Sequence, residues 1–114
     1  MKEFMFLFRN SEEALNKLTS EEKKQYYSKW GAWLKSFADK KIYVDGDRLS
    51  PTEAVTISGK GKTITDGPYI ESKEIIGGYV RIKAKDIEQA VQYAEDCPLL
   101  EINGIVEIRA SFEE

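Results

Sequence analysis

The first strand-like segment, KEFMFLFR at residues 2–9, places the tightest constraint on how this chain folds. Its side chains alternate between two faces, with Phe4, Phe6 and Phe8 on one and Met5 and Leu7 on the other. Apolar side chains on both faces are typical of a strand that is covered on both sides. The fold must therefore provide a covering layer for each face of this strand.

A long amphipathic helix is predicted to provide one of these layers. Thr19 and Glu22 have the spacing of a capping box, in which each side chain accepts a hydrogen bond from the other residue's backbone amide. The apolar residues that follow have the three-and-four spacing of one helical face, at Tyr26, Tyr27, Trp30, Trp33, Leu34 and Phe37. We interpret this stripe as core rather than as a ligand platform, with one aromatic side chain overhanging a cleft.

The rest of the chain contains further strand, turn and helix signals. Asp45-Gly46 predicts a turn, and residues 54–65 predict a hairpin around Gly59-Lys60-Gly61. Residues 77–85 and 105–112 alternate with the period of two that indicates strands. Asp86 is predicted to cap a second helix that ends before Pro98.

This order of elements predicts a single α+β domain over residues 1–114. The arrangement is ferredoxin-like, βαββαβ with an additional β-hairpin, in which an antiparallel sheet carries two helices on one face. Right-handed crossovers place the strand of residues 2–9 and the strand of residues 77–85 in the middle of the sheet. The face without helices then combines apolar and charged side chains, namely Met5, Leu7, Tyr79 and Ile105 with Arg9, Arg81, Glu107 and Arg109.

This uncovered face predicts a homodimer. It is too apolar for a solvated sheet and too charged for an ordinary core, so we expect a second copy of the chain to cover it. The two sheets would face each other across a two-fold axis, with the charged groups paired or lining a cavity.

Composition and charge exclude several classes of function. The 17 basic and 20 acidic residues are interspersed and sum to −3, which argues against a nucleic-acid partner. One cysteine, Cys97, and no histidine exclude an internal disulfide and a structural zinc site, and we predict neither a metal nor a cofactor. The apolar runs fall short of the roughly 20 residues of a membrane helix, and no signal-peptide pattern is present. The expected location is the cytosol.

The segment TDGPYIESKEIIGGY, residues 65–79, carries a family resemblance. Its Asp-Gly-Pro-aromatic start, the Lys-Glu pair at 73–74 and Gly77-Gly78 resemble the YCII-related family in its DGPF form. The tryptophan helix, the VDGDRLSP segment and the CP pair extend the resemblance over nearly the whole chain. The resemblance implies a dimeric α/β barrel of ferredoxin-like protomers.

The same resemblance bears on function. Some YCII-related proteins are thought to use a His-Asp pair for lyase or isomerase-like chemistry, but this chain has no histidine. DGPF proteins often occur beside or fused to extracytoplasmic-function sigma factors, which implies a regulatory or ligand-sensing role and a regulatory protein partner.

Two interpretations of the charged residues in this segment stay open. In one, Asp66 or Glu71 carries a proton, Lys73 or Arg81 binds an anionic group, and Tyr69 and Tyr79 donate hydrogen bonds to a ligand. In the other, Glu71, Lys73 and Glu74 form structural ion pairs that fix the loop across a dimer.

Two functions correspond to these interpretations. The first is a small-molecule-binding or regulatory module for an anionic or aromatic ligand, and the second is a cofactor-free enzyme of lyase or isomerase type. The absence of histidine favours the binding module, because histidine is the side chain best suited to proton transfer near neutral pH.

Overall fold

The structure, a computed structural model, describes residues 1–70 and 74–113. The elements follow one another as β1 (Lys2–Asn10), α1 (Glu12–Asn16), α2 (Ser20–Asp39), β2 (Tyr43–Arg48), β3 (Val55–Ser58), β4 (Thr63–Asp66), β5 (Ile75–Ala84), α3 (Ile87–Ala94), a 3₁₀ turn (Pro98–Ile102) and β6 (Ile105–Ala110). This order confirms the ferredoxin-like βαββαβ prediction with its additional hairpin. The short α1 precedes the predicted long helix.

The main sheet has four antiparallel strands in the order β2-β5-β1-β6. The prediction that β1 and β5 occupy the centre is therefore confirmed. Their register pairs Phe4 with Ile82 and Phe6 with Val80, so the apolar residues of both strands share one face. The hairpin β3–β4 forms a separate two-stranded sheet between β2 and β5 in the chain.

The core lies between this face of the sheet and the helices. Phe6 stacks on Trp33 with ring centroids 6.0 Å apart, and Phe37 meets Trp33 edge-on at 4.8 Å. Helix α3 contributes the small side chains of Ala90 and Ala94, which are both buried. Both long helices therefore cover a single face, as predicted, and the interpretation of the aromatic stripe as core is confirmed for its Trp33 and Phe37 part.

Each long helix begins where the sequence signals place it. Thr19 accepts a hydrogen bond from the Glu22 amide at 3.1 Å, and Glu22 accepts one from the Thr19 amide at 2.8 Å, which completes the capping box. Asp86 caps α3 by accepting a hydrogen bond from the amide of Gln89 at 2.9 Å. Because free amides at a helix start are costly to leave unpaired, these caps fix the helix boundaries.

The predicted turn at Asp45-Gly46 is wrong, because both residues lie inside β2 and pair with β5. A Cβ atom on Gly46 would lie 2.8 Å from the carbonyl oxygen of Tyr79, so glycine is needed there for close packing of two strands. Aspartate followed by glycine is a hairpin signal in isolation, but it also fits an edge strand with an irregular register. The register of β2 shifts between Tyr43 and Asp45.

The face of the sheet opposite the helices is only partly covered. Met5, Leu7 and Tyr79 are partly exposed there, and Ile105 is more exposed still. Charged side chains on this face pair with one another, as Arg9 does with Glu107 at 3.2 Å. We call this surface the outer face. Among the helices of the described residues, none is long and apolar enough to cross a membrane.

Candidate functional site

A cleft of about 420 Å³ opens between the first half of α2 and one end of the main sheet. Its sheet side is formed by the end of β1, the end of β2 and the start of β5, and Leu15 of α1 and Leu99 of the 3₁₀ turn close its sides. The hairpin β3–β4 lies in the chain between the end of β2 and the start of β5. This volume is in the range of small-molecule sites in proteins.

The walls of the cleft are mainly aromatic. Helix α2 contributes Tyr26, Tyr27 and Trp30, and the sheet contributes Phe8 and Tyr43. Trp30 meets Phe8 edge-on at 4.9 Å between ring centroids and Tyr26 edge-on at 6.2 Å. Edge-to-face contacts of this kind hold aromatic side chains in fixed orientations. The cleft therefore has a largely apolar, aromatic surface.

Glycines keep the floor of the cleft close-packed and free of side chains. A Cβ atom on Gly78 would lie 2.7 Å from the carbonyl oxygen of Asp47, and one on Gly77 would lie 3.0 Å from Oδ1 of Asn10. The absence of a side chain at Gly78 thus permits the close approach of the β2 backbone. The absence of side chains at these positions also leaves room above the floor for a ligand.

Two charged residues, Asp47 and Arg48, line the cleft. The guanidinium of Arg48 donates a hydrogen bond from Nη2 to Oη of Tyr27 at 3.2 Å and lies 5.3 Å from the centre of that ring. Strand alternation places the Asp47 side chain on the outer face with Asp45, opposite to Arg48. The cleft therefore combines an aromatic wall with one positive group.

Tyr26 is the cleft residue whose ionisation is most altered by its surroundings. Burial raises the pKa of its phenol, while a hydrogen bond from Trp30 and the positive charge of Arg48 act in the opposite direction. The phenol consequently keeps its proton at neutral pH and can donate a hydrogen bond. Within residues 1–70 and 74–113, no three His, Cys, Asp or Glu side chains are grouped as metal ligands would be.

The predicted site residues that the structure describes are not brought together in this cleft. Asp66 is exposed at the end of β4, and Tyr69 is 67% exposed in the loop that follows. Of the predicted residues, Tyr79 contributes to the cleft lining, but it pairs with Leu7 and Asp47, so its side chain lies on the outer face. Glu71 and Lys73 lie outside the described residues, so their proposed roles stay predictions.

Arg81, the predicted anion-binding residue, lies on the outer face. It donates two hydrogen bonds of 2.7 Å to the two carboxylate oxygens of Asp45 and one of 3.3 Å to Glu3. Asp45 raises the pKa of the guanidinium further above its usual range. Because this charge is already bound by two carboxylates, its position favours a structural ion pair over a free anion site.

Sequence reasoning missed the residues that form the cleft. Tyr27 and Trp30 belong to the helical stripe that was interpreted as core, although one overhanging aromatic was expected. Arg48 had no signal of its own, because it follows an Asp-Gly pair interpreted as a turn. A strand assignment for residues 43–48 would have placed Arg48 on the helix-covered face, two residues after Gly46.

The fold and the cleft define a class of protein: a ferredoxin-like α+β domain with a preformed aromatic cleft between its sheet and its first long helix. More particularly, the chain belongs to the YCII-related domain family, whose match extends over residues 2–113.

Comparison with solved structures supports the fold. The chain is similar to 5-chloro-2-hydroxyhydroquinone dehydrochlorinase (TftG) from Burkholderia phenoliruptrix AC1100, solved in complex with 2,5-dihydroxybenzoquinone, with a TM-score of 0.54 and 15% sequence identity. The likeness covers 98% of this chain and 94% of that one. None of the curated proteins matches this chain.

Proposed function

We propose that this chain is a small-molecule-binding protein whose ligand, a small planar aromatic compound, occupies the cleft. The observation that carries the proposal is the preformed aromatic wall over a glycine-rich floor, enclosing about 420 Å³. Ligand sites are typically concave and mostly apolar, with a few polar groups that fix orientation, and this cleft has that composition. Here the orienting groups are the Arg48 guanidinium and the phenols of Tyr26 and Tyr27.

Calorimetric titration with phenol, benzoate and 2,5-dihydroxybenzoquinone tests the proposal. The quinone is included because it is the compound bound in the structurally similar dehydrochlorinase. We expect at least one compound to bind with saturation and to raise the unfolding temperature by mass action. If no planar aromatic compound binds, the proposal is wrong.

A pair of tyrosine variants locates the binding site. Tyr27→Ala removes a cleft wall that is already 43% exposed, so the core is little affected. Aromatic contacts contribute about 0.5–1.5 kcal/mol, so we expect affinity to fall by up to roughly tenfold. Tyr69→Ala is the matched control, because Tyr69 is exposed and does not line the cleft. Loss of binding in Tyr69→Ala but not in Tyr27→Ala would place the site at the Asp-Gly-Pro-Tyr loop instead.

A cofactor-free enzyme of lyase or isomerase type is the second candidate. The observation that favours it is the phenol of Tyr26, a hydrogen-bond donor that lines the cleft and could orient a reacting oxygen. Transfer of ring protons of a bound hydroxyquinone to deuterated solvent, followed by NMR, measures such activity. Tyr26→Phe, Asp66→Asn and Glu71→Gln then distinguish the cleft phenol from the two carboxylates predicted from the sequence. Exchange no faster than without protein would reject this candidate.

We also propose that the protein is a homodimer that pairs through the outer face. Met5, Leu7 and Tyr79 are partly exposed on this face although they lie on its two central strands. Most of the charged side chains on the same face are already paired with one another, as Arg81 is with Asp45 and Glu3. A surface with apolar groups at its centre and internally paired charges fits burial against a second copy.

A further inference from the structure

The charge environment of Arg48 differs from that of every other arginine in residues 1–70 and 74–113. Arg81 pairs with Asp45 at 2.7 Å, Arg9 pairs with Glu107 at 3.2 Å, and Arg109 lies 3.7 Å from the same glutamate. In the described part of the chain, Arg48 has no carboxylate within ion-pair distance, and its polar contact is the hydroxyl of Tyr27. Its positive charge is therefore not neutralised by the protein residues described.

Arg48 also contacts the aromatic wall of the cleft through Tyr27. Its Nη2 group donates to Tyr27 at 3.2 Å, and the guanidinium lies 5.3 Å from the centre of the Tyr27 ring. A cation this close to a ring is attracted by the ring quadrupole, which restricts the long side chain. Arg48 lies on the exposed edge strand β2, so its remaining N–H donors are open to water or to a ligand. The guanidinium is a planar fork that matches both oxygens of a carboxylate.

Asp47, the acidic residue next to Arg48 in the sequence, does not neutralise the Arg48 charge. Asp47 pairs with Tyr79 of β5, so its side chain lies on the outer face, whereas Arg48 pairs with Gly78 and faces the cleft. An anionic group at the cleft mouth would thus meet an uncompensated cation.

We propose that the ligand is an aromatic carboxylate, with its ring against Tyr27 and Trp30 and its carboxylate bound by the guanidinium of Arg48. This inference rests on the proposed function, since it assigns a ligand class to the same cleft. It moves the anion-binding role predicted for Lys73 or Arg81 to Arg48. Hydrogen bonds between charged partners are stronger than neutral ones, so the carboxylate would decide which aromatic compounds bind.

Benzoate and benzamide, which have nearly the same shape and differ in charge, provide the test. We expect the intact protein to bind benzoate about tenfold more tightly than benzamide, because the carboxylate adds a charge-assisted contact. Raising the salt concentration should weaken benzoate binding and leave benzamide binding nearly unchanged. Equal affinities for the two compounds would overturn the inference while leaving the proposed function in place. Binding of neither compound nor of any other planar aromatic would overturn both.

Variants at Arg48 assign the effect to this residue. Arg48→Met keeps the length of the side chain and removes its charge, and it should lower benzoate affinity about tenfold while benzamide affinity changes by less than about twofold. Arg48→Lys keeps the positive charge but lacks the planar guanidinium fork. Its benzoate affinity should lie between those of the wild type and Arg48→Met. Lys35→Met is the control, because it removes one exposed positive charge at the other end of α2. If Arg48→Met and Lys35→Met weaken benzoate binding equally, or if Arg48→Met weakens both compounds equally, the assignment is wrong.

Discussion

At the residue scale, the close packing under the cleft depends on glycine at specific positions. A Cβ atom on residue 46 would lie 2.8 Å from the carbonyl oxygen of Tyr79 and 3.0 Å from Cγ2 of Val80. The carbonyl oxygen of Tyr79 belongs to the backbone of β5, a central strand of the sheet, and cannot move without shifting that strand. A methyl group at residue 46 would therefore push β2 and β5 apart.

Replacing Gly46 with alanine should destabilise the protein by about 1–3 kcal/mol, the usual cost of overpacking. The matched control is Gly31→Ala, since Gly31 lies inside α2 with nothing within 4 Å of the added Cβ atom. This control should gain about 0.5–1 kcal/mol, because alanine favours helix over glycine. Urea unfolding followed by circular dichroism measures both. Equal changes of the same sign in the two variants would contradict the packing argument.

Cys97 should be inert towards thiol reagents in the folded protein. It is 2% exposed, and burial raises the pKa of its thiol to about 12. Since the thiolate is the reactive form, neither access nor ionisation favours reaction near pH 8. We expect no labelling by an aromatic disulfide reagent in buffer and one equivalent in urea. Full labelling without denaturant would show that this part of the core opens readily.

At the element scale, the start of α2 depends on a reciprocal pair of side chains. Thr19→Ala should destabilise the protein by about 1 kcal/mol, because the amide of Glu22 loses its acceptor at the helix start. Thr19→Ser keeps the hydroxyl and should remain close to the wild type. Thermal unfolding of the two variants measures the difference. Equal stability of Thr19→Ala and Thr19→Ser would mean that water replaces the cap.

An ion pair between Asp45 and Arg81 links the edge strand β2 to β5. Hydrogen bonding to Arg81 holds the pKa of the Asp45 carboxyl below its usual range. A depressed carboxyl pKa contributes stability that is present above the unfolded value, about 3.9, and is lost as pH falls through the folded value. Asp45→Asn should therefore be less stable than the wild type at pH 7, and the gap should be smaller at about pH 3, which lies below the unfolded value. Urea unfolding at both pH values tests this, and an unchanged gap would rule out an ionic contribution.

At the scale of the whole molecule, the outer face leads to a prediction about assembly. The protein should sediment as a dimer of about 26 kDa, twice the 13.0 kDa of the chain. Leu7→Lys places a charge at the centre of that face and should shift the equilibrium towards monomer, since an unpaired charge in an interface is costly. Ser28→Lys, on the exposed side of α2, is the control. Monomeric wild type at micromolar concentration would refute the predicted pairing.

Much of the fold could be predicted from local patterns. The alternation of Phe4, Phe6 and Phe8, the capping box of α2 and the hairpin turn at Gly59 each depend on residues close together in the chain. The structure agrees with all three. The site could be predicted much less well, because Tyr27 and Trp30 carry the same periodic signal as the core residue Trp33. A helical stripe identifies a face, but it does not show where that face extends beyond the sheet.

The sequence by itself determined β1, the hairpin, β5, β6 and the two long helices, because hydrophobic periodicity and capping are set by neighbouring residues. It did not determine β2, since the pair Asp45-Gly46 is locally a turn signal and its place in the sheet depends on pairing with β5. Only the tertiary structure decided which side chains line the cleft and which cations are neutralised. Asp45 and Arg81 are 36 residues apart, and their pairing depends on the register between β2 and β5. The same register places Arg48 on the opposite face of the sheet. A shift of one residue would exchange these faces, since successive side chains on a strand point in opposite directions.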